Sequence, residues 1–144
     1  MVDLTKSFIN DIVHICLLAG KSILEEYEKP KTKIFLKEDS SPVTEADLKA
    51  NEIIVDRLLQ LDKGIPCLSE ESNENDSVFD SEVFWAVDPL DGTKEFINKT
   101  GDFTVNIGLI KNKKPVFGIV YAPILDKIWL GYVDHGNKSK ESFR

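Results

Sequence analysis

The chain has 144 residues, 42% hydrophobic and 30% charged, the make-up of one soluble globular domain long enough to bury a real core. A net charge of −7 argues against nonspecific nucleic-acid binding. No run of 18 residues reads as continuously apolar and no basic flank precedes an apolar core, so neither a membrane span nor a secretory signal is expected, and the chain reads as cytoplasmic.

In chain order, Phe8, Ile12, Ile15, Ala19, Ile23 and Tyr27 recur at three- and four-residue spacing and predict a helix over Leu4 to Glu28, ended by Pro30. Cys16 within it, like Cys67 later, lacks metal-ligand spacing and reads as a buried apolar residue. His14 reads as structural or surface. Lys33 to Lys37 alternates around Ile34 and Leu36 as a short strand. Thr44 followed by Asp47 is a capping box that opens a second helix to about Leu61, with Leu48, Val55, Leu58 and Leu59 inward. Ile65 to Ser69 is a short strand ending in Glu70-Glu71-Ser72. Val83 to Val87 is a buried strand with Asp88 at its end, Pro89 to Gly92 is a tight turn, and Thr93 begins a helix over Lys94 to Ile97. Phe103 to Ile110, Val116 to Ile124 and Lys127 to Val133 are further strands, the first two joined by a turn at Lys111 to Pro115. The expected fold is α+β, two long helices on a mostly antiparallel sheet of about six strands. Residues 1–134 form the domain, and 135–144 read as a polar tail.

Acidity is unevenly spread. Residues 38–91 hold fifteen Asp and Glu against three basic residues. Within that stretch, two strand ends each deliver carboxylates. Asp88 and Asp91 by themselves are accounted for by turn and cap hydrogen bonds. If the two strands are neighbours, however, Glu71, Asp88 and Asp91 converge. Unit charges ~4 Å apart repel by roughly 4 kcal/mol at an effective dielectric near 20, so such a cluster persists only when cations or protons neutralise it. With oxygen ligands, magnesium is the natural cation. The helix start at Thr93 adds outward-facing amides that suit a phosphate.

Trp85-Ala-Val-Asp88-Pro-Leu-Asp91-Gly-Thr93, preceded by Ser69-Glu70-Glu71-Ser72 and by Pro42-Val-Thr-Glu-Ala-Asp47, resembles the magnesium-dependent, lithium-sensitive phosphatases of the inositol monophosphatase family. The continuation Lys94-Glu95-Phe96-Ile97 and the run Gly101 to Ile110 are closer to its 3'(2'),5'-bisphosphate nucleotidases of the CysQ type. The match runs from about residue 5 to about residue 133. The resemblance implies the N-terminal domain of a layered sandwich and two or more magnesium ions, with manganese as a substitute and lithium as an inhibitor. It further implies Glu71, Asp88, the Leu90 carbonyl and Asp91 as metal ligands. Asp47 with Thr93 would orient the attacking water, with Glu70 assisting through solvent. Glu71 and the Leu90, Asp91, Gly92 and Thr93 segment would meet the substrate phosphate. The implied reaction is conversion of adenosine 3',5'-bisphosphate to AMP and phosphate. Two alternatives stay open: a phosphatase acting on inositol or sugar phosphates, and a non-catalytic metal-binding remnant. The resembling enzymes are about twice this long, and their second half, with a further metal-binding aspartate, has no counterpart here. Strands that face a second domain in such enzymes would then leave an apolar patch, from which self-association is expected.

Overall fold

The computed structural model describes residues 4–72, 76–134 and 137–143. Helix α1, Lys6–Tyr27, is opened by Thr5, whose hydroxyl accepts the Phe8 amide at 3.1 Å. By length and composition α1 could cross a membrane, which differs from the sequence reading. Its apolar side is instead built into the core, where Ile12, Cys16, Ala19 and Ile23 expose no surface.

A small antiparallel hairpin follows, β1 (Ile34–Leu36) with β2 (Pro42–Thr44), and leads directly into α2, Glu45–Leu61. The capping box at Thr44 is formed in both directions. It turns Asp47 inward, so the stripe that α2 buries runs Ala46, Ala50, Ile54, Leu58. Leu48 and Leu59, expected inward, lie on its flanks at 38% and 39% exposure. Small alanines on the buried stripe leave the close approach to neighbouring elements to α2's backbone, and the larger leucines are displaced outward.

Six strands make the main sheet in the order β3-β4-β5-β6-β7-β8. They are β3 (Cys67–Ser69), β4 (Val83–Asp91), β5 (Thr104–Lys111), β6 (Lys114–Ala122), β7 (Lys127–Asp134) and β8 (Asn137–Phe143). All pairings are antiparallel except β3 with β4. The turn expected at Lys111 to Pro115 is a two-residue hairpin in which Asn112 and Lys113 both have positive φ, the geometry that matches strand twist. Residues expected as a polar tail are partly β8, which pairs with β7 from Ile128↔Phe143 to Asp134↔Asn137; positions 135, 136 and 144 lie outside the described residues. The short strand β2 is not among the expected elements, because only Pro42 and Val43 precede the capping box that its last residue, Thr44, opens.

The inner sheet face, including Trp85, Val87, Val105, Ile107, Leu109, Ile119 and Ile128, packs under both helices. Gly20 lets α1 lie against the ring of Tyr121, whose Cδ2 stands 2.9 Å from where a Cβ would be. The outer face carries no α-helix among the described residues; a 3-10 turn, Asp76–Asp80, lies at its edge, where the Phe79 ring meets Phe84 edge-on. Leu68, Ala86, Gly108, Gly118 and Val120 line a shallow groove there, and Trp129 beside Val120 is 43% exposed.

Candidate metal and phosphate centre

The parallel pairing of β3 and β4 brings two acidic strand ends together. Ser69 lies opposite Val87, and the Glu70 amide donates to the Val87 carbonyl at 3.1 Å. Glu70 and Glu71 therefore leave β3 alongside Asp88. A register shift follows, in which the span from Asp88 to Asp91 on β4 faces that from Asn106 to Thr104 on β5, one residue shorter. Pro89 sits in this bulge, where its missing amide costs no ladder bond. Strand β4 thus runs on to Asp91, past the end expected at Val87.

Burial, with Asp91, Glu70 and Glu71 nearby, pushes the Asp88 carboxyl up to about 6. The ends are adjacent, as expected, but the carboxylates are not assembled into a cage: no three acidic, His or Cys side chains stand together as ready ligands among the described residues. Glu71, expected to converge with Asp88 and Asp91, is engaged elsewhere. Its side chain is 6% exposed and accepts from the Lys37 ammonium at 2.8 Å. Partial burial opposes the charge on Lys37, yet the bond to Glu71 and the charges of Glu71, Glu70 and Asp47 hold that ammonium above its usual range. A cation from the end of β1 thus answers the repulsion that the acidic pattern predicted.

Beyond Asp91 the chain turns sharply. Gly92, at φ +100°, caps the short helix α3, Thr93–Ile97, and a Cβ there would stand 2.6 Å from the Asp102 carbonyl oxygen. Leu90 is buried at 3% exposure, and its carbonyl lies 3.5 Å from the Thr93 hydroxyl. Thr93 donates to Asp47 Oδ1 at 2.8 Å. Asp47 Oδ2 accepts the Thr44 amide at 2.9 Å and the Thr44 hydroxyl at 2.6 Å. One carboxylate with no exposed surface therefore both caps α2 and holds the β4–α3 corner. Since the Thr93 hydrogen is committed to Asp47, the lone pairs of Oγ1 remain to accept from a water.

Glu70 and Asp91 are exposed, and Asp88 and Thr93 are half-buried, so the corner opens to solvent. Its donors are carboxylate and backbone carbonyl oxygens, a set that fits magnesium. Residue-by-residue reading missed two contributors. Lys37 carries no motif. Asn51 falls one turn after Asp47 on α2 and bonds to both Ser69 and Ser72; its four-residue offset from Asp47 was the available signal.

The chain matches the inositol monophosphatase family over residues 4–143. It is 42% identical over 135 residues to the 3'(2'),5'-bisphosphate nucleotidase CysQ of Salmonella typhimurium, covering 92% of this chain and 54% of that protein. With the Haemophilus influenzae CysQ it shares 36% identity over 143 residues, covering 98% of this chain and 53% of the relative. Among solved structures, CysQ from Bacteroides thetaiotaomicron aligns with a TM-score of 0.77 at 40% identity over 97% of this chain and 51% of its own. The suhB protein of Bartonella henselae aligns at 0.82 and 31% identity, over 94% and 52%. The chain spans about half the length of these relatives. With the family match extending across nearly all of its described residues, the chain belongs to the inositol monophosphatase family.

Proposed function

We propose that this chain carries the metal- and phosphate-handling half of a magnesium-dependent phosphomonoesterase acting on adenosine 3',5'-bisphosphate. The observation that carries the reading is the side-by-side placement of the Glu70–Glu71 and Asp88–Asp91 strand ends, next to a Thr93 hydroxyl held by Asp47 at 2.8 Å. The CysQ relatives, named as 3'(2'),5'-bisphosphate nucleotidases, support the substrate.

Glu71, Asp88, Asp91 and the Leu90 carbonyl would hold the metal. Magnesium, when bound, would supply Lewis acidity to the phosphoryl transfer. The residues themselves do the rest. Thr93 Oγ1 accepts a hydrogen bond from water and so aims its oxygen at phosphorus. Asp47, fixed by Thr44, keeps Thr93 in that orientation. Glu70, exposed beside Asp88, takes a proton through solvent. Water oxygen bonds to phosphorus as the in-line phosphorus–ester oxygen bond breaks, and the departing oxygen takes a proton from solvent, matching the one given up toward Glu70, to leave as the nucleotide hydroxyl. The amides that follow Gly92 at the start of α3 face the transferred phosphate.

The test is phosphate release from adenosine 3',5'-bisphosphate and from inositol monophosphate, with magnesium, by residues 1–144 and by the same chain joined to a complete second domain. Very weak or absent turnover is expected for the 144 residues alone, and turnover favouring the bisphosphate for the longer protein. Lithium should inhibit it. Rapid turnover by the short chain, of order 1–10³ per second and abolished by Asp91→Asn, would show the second half dispensable. Preference for inositol phosphate would overturn the substrate.

A further inference from the structure

The face of α2 that carries Asp47 carries Asn51 one turn later. Asp47 grips the β4–α3 corner through Thr93, and Asn51 grips the end of β3. The Ser69 hydroxyl donates to Asn51 Oδ1, while Asn51 Nδ2 donates to Ser72 Oγ at 3.0 Å. Ser69 Oγ accepts the Glu71 amide at 3.3 Å. The two serines bracket Glu70 and Glu71. A single side-chain amide, with donor and acceptor both used, thus holds the chain on either side of the acidic pair. The neighbouring buried positions on α2, Ala50 and Ile54, are apolar and ask for no such group.

We propose that Asn51 is a positioning residue for divalent-cation binding. Together with Asp47 it makes one helix face the gauge that sets the strand end carrying Glu70 and Glu71 beside the one carrying Asp88 and Asp91. The proposal rests on the metal reading above. Physical need for the brace comes from charge: Lys37 answers Glu71, but Glu70, Asp88 and Asp91 still push the two strand ends apart, and β3 is only three residues long, too short a ladder to resist that push alone. Loss of the brace lets Glu71 drift with its loop, so a cation must pay to reassemble its ligands.

The test is a manganese titration of the 144-residue chain followed by thermal unfolding. Variants are Asn51→Leu, which keeps the branched heavy-atom skeleton without either hydrogen bond, Ser72→Ala, and Asp88→Asn as the site control. Wild type should melt higher as manganese rises. Asn51→Leu should need about tenfold more manganese for half of that shift, the usual penalty for losing a group that orients a metal ligand. Ser72→Ala, which removes one end of the brace, should move the same way by a smaller factor and carries the test if Asn51→Leu does not fold. A half-saturating concentration equal to wild type, in Asn51→Leu or in Ser72→Ala where that variant alone folds, would overturn the proposal even if both melt lower without metal. A wild-type response lost in Asp88→Asn but intact in the Asn51 and Ser72 variants overturns only the brace. Absence of any wild-type response overturns both readings.

Discussion

Asp88→Asn should stabilise the metal-free protein and abolish its response to magnesium. The rise of the Asp88 carboxyl from 3.8 to about 6 has burial as its main cause, followed by Asp91, Glu70 and Glu71. At about 1.4 kcal/mol per unit that is about 3 kcal/mol, and solvent screening at this half-buried position leaves roughly 1–2 kcal/mol. The folded state holds the proton more tightly than the unfolded one. Stability from this group is therefore fully present below the unfolded value near 3.8 and is lost as pH rises through about 6. At pH 7 without metal, asparagine removes the charged form and should raise Tm by about 3–8 °C. Magnesium requires the carboxylate, so in wild type it should raise Tm at pH 7, do so less at pH 5, and release protons near pH 6; the variant should show none of this. Differential scanning calorimetry at both pH values, with and without magnesium, reads all four conditions. If Asp88→Asn melts at or below wild type at pH 7 without metal, the account of Asp88 as a repelled, buried carboxyl is wrong.

Thr93→Val should leave Asp47 Oδ1 without its 2.8 Å donor at a site with no solvent, costing about 1–3 kcal/mol in urea unfolding; an unchanged midpoint would remove Thr93 from the corner's support. Gly20→Ala, which in an open helix gains up to ~1 kcal/mol, should instead destabilise by about 1–3 kcal/mol because the methyl meets the Tyr121 ring, and a gain in Tm would refute that packing. Light scattering should detect concentration-dependent association through the open sheet face, reduced by Trp129→Lys; a clean monomer over a wide concentration range would count against it.

The legible parts of the fold were those where one residue's chemistry decides its own surroundings. The α1 stripe from Ile12 to Ile23 is buried as its spacing predicts, because branched apolar residues at helical period have one place to go. The capping box at Thr44–Asp47 is likewise a local bargain between two side chains and two amides. Where two local rules competed, the stronger one moved its neighbours: inward-turned Asp47 rotated α2 and put Leu48 and Leu59 on its flanks. Residues 137–143 are polar, and their strand exists because β7 offers an edge, a fact of the partner and not of the segment.

The candidate site divides along the same line. Asp88, Asp91 and Thr93 are set by one continuous strand, bulge and turn, so the motif carries their geometry. Glu71 is set by three other segments: β4 fixes where Glu70 starts, Asn51 on α2 holds the flanking serines, and Lys37 at the end of β1 takes the carboxylate. Lys37 and Glu71 are 34 residues apart, and the ion pair depends on the β1–β2 hairpin bringing Lys37 to the segment after β3, which no spacing in the chain encodes. The lysine also gives a cause for the absence, among the described residues, of an assembled ligand cage. Three or four carboxylates held together repel, and the charge is answered either by protonating one of them or by a cation from the chain itself. Glu71 takes the second course, and Asp88 is shifted toward the first, taking up its proton as pH falls through about 6. Divalent metal has to displace the ammonium at one strand end and, near and below pH 6, a proton at the other, so its binding should weaken with acidity and strengthen when Lys37 is neutralised. Lys37→Met, which keeps the stem and removes the charge, would show this as a lower half-saturating manganese concentration; a higher one would mean that the ammonium supports the metal site and does not stand in for the metal.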